Sequence, residues 1–141
     1  MTRHEIEALL EKRALAIAAH DVDALAELHD EHGELDSPTA GGLVKGRRAI
    51  AEVYRAFFNA FPDCVFNTEA LVIDGDRIVL VTTTMGTDAG EFLGLPGTGK
   101  PFRLPMVHLF TVKDGRFLHE RRIYDFTGLL IQIGVLKAKP V

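Results

Sequence analysis

Two titratable residues stand where this chain otherwise places apolar ones. His108 lies between Val107 and Leu109, and Asp125 between Tyr124 and Phe126. Burying such groups without partners is expensive, so each is expected to line an internal pocket. A carboxyl group in a dry pocket is pushed toward neutrality and can then give and take a proton. Asp125 is therefore the expected general acid/base, and His108 the group that hydrogen-bonds a substrate carbonyl. Both residues also admit plainer readings. Asp125 could cap a helix starting at Thr127-Gly128, or pair with Arg121 or Arg122. His108 shares a face with Leu104, Met106 and Phe110 and could be a hydrogen-bonded core group.

Other candidates are less specific. Tyr54 sits in an aromatic stripe, and its hydroxyl must find a partner or point into a cavity. Arg103 could hold a carboxylate or ester, or face solvent. Asp63 follows Pro62 and reads as a turn cap. Arg121 and Arg122 are consecutive, so a regular strand sends one to each face, with Arg121 on the side of Asp125 unless a bulge intervenes. His29, His32 and Asp36 suggest a metal, but His-x-x-His lacks the i, i+4 spacing of a two-histidine helix motif, and no metal is expected. Gly94, Gly97 and Gly99 do not form a phosphate loop, because Pro101 leads into a strand rather than a helix N-terminus. The single cysteine, Cys64, precedes Val65 and Phe66 and reads as a small apolar residue.

The elements that must position these groups follow from periodicity. Thr2 and Glu5 form a capping-box pattern ahead of Ile6, Leu9, Leu10, Ala14, Ile17 and Ala18 at helical spacing. Asp21 caps a short second helix carrying Val22, Leu25 and Leu28. A short strand is expected over 34–37 and a glycine-rich loop over 38–46. Residues 47–61 are the clearest helix, with Ile50, Val53, Tyr54, Phe57, Phe58 and Phe61 on one stripe, stopped by Pro62. Strands follow over 65–73, 77–87, 102–112 and 117–126, with Asp74-Gly75-Asp76 and Asp114-Gly115 as turns. The 88–100 loop holds an apolar island, Phe92-Leu93-Gly94-Leu95-Pro96, expected to pack over something as a lid. Helices followed by strands predict an α+β fold. An antiparallel sheet curls around the 47–61 helix, leaving a cone with an internal pocket. Tyr54, Phe58, Phe92, Met106 and Tyr124 are its candidate walls.

The 141 residues suit one domain spanning 1–141, and 47% hydrophobic against 26% charged residues supports a packed core. The net charge of -4, without a basic block, argues against nucleic acid or an anionic membrane as partner. No apolar run approaches a membrane span and the N-terminus is not signal-like, so a soluble, cytoplasmic protein is expected. One sheet face, carrying Val79, Val81 and Met85, is too apolar to stay wet and predicts a homodimer, helped by residues 129–135.

Phe92-Leu93-Gly94-Leu95-Pro96-Gly97-Thr98-Gly99-Lys100, Val107-His108-Leu109-Phe110, Asp114-Gly115-Arg116, and Tyr124-Asp125 leading into Gly128-Leu129-Leu130-Ile131-Gln132-Ile133-Gly134 resemble the SnoaL-like polyketide cyclases. These belong to the nuclear-transport-factor-2-like superfamily, and the resemblance includes Phe61-Pro62-Asp63. It implies intramolecular aldol ring closure of a hydrophobic, polyketide-like carbonyl compound without metal or cofactor, as in ester cyclases. Asp125 would be the acid/base and a histidine on a neighbouring strand, His108, its helper. The superfamily also hosts ketosteroid-isomerase-like and epoxide-hydrolase-like enzymes and non-catalytic binding or dimerisation modules on one fold, and these remain the alternatives.

Overall fold

The computed structural model describes residues 1–138 and opens with two capped helices. In α1 (Arg3–Ala18) the Thr2 hydroxyl accepts from the Glu5 amide at 3.1 Å, and in α2 (Val22–Glu27) the Asp21 carboxylate accepts from the Ala24 amide at 3.0 Å. Each cap satisfies a donor the helix itself leaves free. The first strand, β1 (His29–Ser37), starts five residues earlier than its polar sequence suggests. A 3-10 turn (Pro38–Ala40) follows, and then a strand β2 (Gly42–Lys45) inside the expected loop. After α3 (Arg47–Ala60) come β3 (Val65–Asp74), β4 (Arg77–Thr87), β5 (Pro101–Lys113), β6 (Arg116–Tyr124) and α4 (Phe126–Gln132).

The six strands form one curved, unclosed sheet in the order β2-β1-β6-β5-β4-β3. All pairs are antiparallel except β1 with β6. Register shifts interrupt β3–β4 at Thr68/Ala70 and β5–β6 at Thr111/Val112, and such bulges bend and twist a sheet beyond its normal pleat. The concave face receives the helices. The predicted aromatic stripe of α3 is buried at Ile50, Tyr54, Phe57 and Phe58, and Phe61 packs on Phe102 and Phe92 at ring distances of 4.6 and 5.0 Å.

Phe92 belongs to the apolar island of the 88–100 loop, so that loop does dock onto the core. Its base is held by the Ala60 carbonyl, which accepts from the Gly90 amide at 2.9 Å. It is also held by buried Asp88, whose carboxylate accepts from the Thr98 amide at 3.0 Å. Two apolar clusters fill the interior. One gathers α3, Phe92, Leu104 and Met106, and the other gathers Ile6, Leu9, Ile78, Phe110 and Phe117. No helix among the described residues is long and apolar enough to cross a membrane.

Candidate active site

Between these clusters lies a buried polar array that draws on α1, β1, α3, β4, β5 and β6. The stripe that α1 turns inward runs Ile6, Leu9, Arg13, Ala16, Ile17, so a guanidinium enters the core where helical spacing calls for an apolar side chain. On the inner face of the sheet, Ile78, Phe110 and Glu120 form one cross-strand row, and Leu80, His108 and Arg122 the next. Arg13, His29, Tyr54, Thr82, His108, Glu120 and Arg122 are each at most 3% exposed.

Glu120 is the hub. It accepts from the Tyr54 hydroxyl at 3.0 Å and from Arg122 Nε at 2.6 Å. Arg13 Nε and His29 Nε2 stand 3.8 and 3.9 Å from its Oε1. Burial alone would raise the Glu120 carboxyl, but the guanidinium groups of Arg122 and Arg13 outweigh it and hold the carboxyl far below the usual range. Glu120 is thus a permanent anion and a poor proton acceptor. Burial lowers His29 to about 4 against the opposing pull of Glu120. Burial, then Arg13, lowers His108 well below its ordinary value. Both histidines are neutral at pH 7.

Arg13 Nη2 is 3.4 Å from His108 Nδ1, and Thr82 Oγ1 is 3.0 Å from Nε2. A guanidinium can only donate, so Nδ1 is the acceptor and Nε2 carries the hydrogen, which it donates to Thr82. The Thr82 hydroxyl keeps its own hydrogen free for another acceptor. Arg13 and Thr82 both line a cavity of about 360 Å³ between α1 and the inner face of β3–β4. The rest of its wall is mainly apolar and includes Ala14, Ile17, Phe66 and Leu80, with the exposed side chains of Glu11 and Thr68 as its other polar members. A fixed cation and a free hydroxyl hydrogen on an apolar wall are suited to a carbonyl or enolate oxygen. A larger cavity, about 710 Å³, lies between α3, β2 and the 88–100 loop, where Val44, Val53, Phe57 and Phe92 meet. Its charged lining residues, Glu52 and Glu91, are exposed, and none of the buried polar side chains lines it, so size favours it and chemistry does not.

Of the residues expected at the site, His108 and Tyr54 belong to the array. Asp125 does not: it is exposed and caps α4, accepting from the Gly128 amide at 2.8 Å. It stands three residues, about 10 Å of strand, beyond Arg122. Phe58 is buried and stacks on the His20 ring at 4.1 Å. Met106 is core, and Phe92 lines only the larger cavity. Arg103 is exposed, with its backbone amide bound to the Gln132 side chain. The Tyr124 hydroxyl accepts from the Thr39 amide at 3.1 Å. Arg121 shares a side with Asp125, as alternation predicts, but that side faces solvent, with Arg121 opposite Asp36 and Arg122 turned inward. His29 is buried while His32 is 84% exposed, so the suggested metal set is not brought together. Burial pushes the Cys64 thiol up to about 12, which leaves it without nucleophilic character.

Arg13, Thr82, Glu120 and Arg122 are the members that reading the sequence missed. One signal was available, since Arg13 lies four residues from both Leu9 and Ile17 in an apolar stripe. Glu120 was concealed by the β5–β6 bulge, which leaves Leu118 without a partner and lets both Phe117 and Glu120 face inward although they are an odd number of residues apart.

No curated protein matches the sequence. Among solved structures, TsrD from Streptomyces laurentii superposes with a TM-score of 0.84 at 24% identity, covering 96% of this chain and 99% of its own. IdmH from Streptomyces antibioticus, provisionally described as a polyketide cyclase, gives 0.76 at 26% identity over 91% and 97%. TerC, co-crystallised with polyporic acid, gives 0.75 at 18% identity over 92% and 98%. These likenesses agree with the curved sheet and four helices seen here. The sequence profile of the SnoaL-like polyketide cyclases matches residues 8–133, and the chain belongs to that family.

Proposed function

We propose that this protein is a cofactor-free enzyme that closes or isomerises a small hydrophobic carbonyl compound in the cavity between α1 and β3–β4. The single observation that carries this reading is the juxtaposition of Arg13 and the free Thr82 hydroxyl hydrogen on that cavity's mainly apolar wall. A substrate carbonyl oxygen accepts from Arg13 and Thr82, which makes the neighbouring C–H acidic. Arg13 then leaves His108 Nδ1, a contact already long at 3.4 Å, and the uncovered lone pair takes the carbon proton. The enolate carbon attacks the second carbonyl, and His108 returns the proton to the new alkoxide. Glu120 never titrates. It balances Arg122 and stabilises the transient imidazolium. The apolar wall excludes water, which strengthens each of these interactions. That TerC was co-crystallised with a small molecule fits a ligand-binding cone in this fold.

Ring closure of linear 1,3-dicarbonyl polyketide mimics, followed by absorbance, tests the reading. Wild type accelerates closure, and Thr82→Val lowers kcat about a hundredfold, the effect of losing one oxyanion donor. Asp125→Asn, which keeps the helix cap, leaves the rate unchanged. Absence of turnover across the panel would leave a binding module instead. An inactive Asp125→Asn beside an active Thr82→Val would return the acid/base role to Asp125.

The assembly proposed is a homodimer through the outer sheet face. There the row Ala70, Val81, Val107 and Ile123 runs beside Val72, Val79 and Leu109. Val72 is 58% and Ile123 45% exposed.

A further inference from the structure

The buried array does not balance its charge. Arg13 and Arg122 bring two guanidinium groups, Glu120 brings one carboxylate, and the two histidines are neutral. Arg122 takes the shortest contact, its 2.6 Å bond to Glu120, and lies over the Tyr54 ring at 4.6 Å, although its Nη2 has no hydrogen-bond partner. Arg13 has no comparably short polar partner, although its guanidinium lies over the Phe110 ring at 5.0 Å. Its Nε makes no hydrogen bond, its separation from Glu120 is 3.8 Å, and its Nη2 contact to His108 is 3.4 Å. A guanidinium that is 3% exposed yet incompletely paired is costly. This one lies on the wall of a cavity large enough for a small ligand.

We infer that the cavity is built for a hydrophobic oxyanion, a carboxylate or an ionised enol, whose charge Arg13 neutralises while its apolar body lies against Ile17, Phe66 and Leu80. Arg13 is suited to this because its fork can give a carboxylate two parallel N–H···O bonds. The Thr82 hydroxyl hydrogen supplies a further donor. A neutral ester or ketone offers one acceptor and no charge, and leaves the array's excess charge uncompensated. The inference rests on the proposed assignment of this cavity as the active site, but it concerns recognition and stands or falls without turnover.

The test uses ligand fluorescence, which the absence of tryptophan leaves unobstructed. At pH 7, 2-naphthoate is titrated against methyl 2-naphthoate, with 2-hydroxy-1,4-naphthoquinone as a competing ionised enol. The carboxylate is expected to bind roughly tenfold or more tighter than its ester, and Arg13→Gln to abolish that difference. Displacement by the hydroxyquinone shows that an enolate serves as well as a carboxylate; failure to displace restricts the site to carboxylates. Ala14→Trp, which fills the cavity without altering its charge, is expected to abolish binding of both ligands and covers the case in which Arg13→Gln does not fold. Equal or tighter binding of the ester, a preference that survives Arg13→Gln, or failure of both ligands to bind overturns the inference. Anion binding without ring closure would instead remove the proposed enzyme and keep the site.

Discussion

His29 shows how a buried side chain becomes a pH-dependent term in stability. It is 1% exposed, its ring packs against Phe117 and Tyr54 at 5.4 and 6.2 Å, and neither ring nitrogen makes a hydrogen bond. Burial lowers it from 6.5 to about 4. Between these values the unfolded chain binds a proton that the folded chain refuses, so stability rises with pH across that window. His29's share is complete above 6.5 and is lost as pH falls toward 4, by about 3 kcal/mol. Urea midpoints measured from pH 7 to 4 are expected to fall, and His29→Leu to lessen the fall by about that amount. An identical fall in the variant would mean that His29 is protonated in the fold. The same scale explains Asp125. Its flanking tyrosine and phenylalanine suggested burial, but the residue ends a strand and starts a helix, where a carboxylate's best use is the free amide of Gly128.

Among the elements, the 88–100 loop depends most on backbone fit. A Cβ at Gly90 would overlap the Asn59 carbonyl oxygen, because the loop's backbone lies directly on the end of α3. A Cβ at Gly94 would meet nothing within 4 Å, although its φ of +76° disfavours other residues. Gly90→Ala is therefore expected to destabilise by about 1–3 kcal/mol through overpacking and to open the loop to limited proteolysis between residues 90 and 98. Gly94→Ala should cost about 1 kcal/mol and leave the proteolytic pattern unchanged. Equal proteolytic sensitivity in the two variants would show that docking against α3 does not hold the loop. The helices and tight turns here were legible because their signals are local: Thr2 and Asp21 as caps, the α3 stripe, Asp74-Gly75 and Asp114-Gly115. The extent of β1 was not. Its residues His29 to Gly33 are polar and join the sheet only because β6 lies alongside, with a shifted register between His29 and Glu34.

For the whole molecule, the sheet's outer face is the proposed dimer interface. One central row is aliphatic across four strands and its neighbour across three, ending at Arg121 on β6, and a two-fold axis through such a patch makes it complementary to itself. Sedimentation at micromolar concentration is expected to show a dimer, and Ile123→Glu a monomer, since each dimer would bury two added charges. A wild-type monomer at that concentration would exclude this interface. The inner face separates two kinds of space. Both have exposed carboxylates in their linings, but of the two only the smaller is lined by the buried Arg13 and Thr82, which is why the proposed chemistry is placed there.

Pattern and composition by themselves determined the α+β class, the run of four strands after α3, the aromatic stripe that fills the cone, and the inward placement of His108 and Tyr54. All of these follow from periodicity and local capping, which act over a few residues. Only the tertiary structure decided which charges meet. Arg13 and Glu120 are 107 positions apart, and no local rule relates a helix residue to a strand residue across that separation. The bulge at Leu118, set by pairing with β5, fixed which side of β6 faces inward. Burial then left His29 and His108 neutral, the guanidinium groups of Arg122 and Arg13 kept Glu120 charged against it, and Asp125 stayed at the surface.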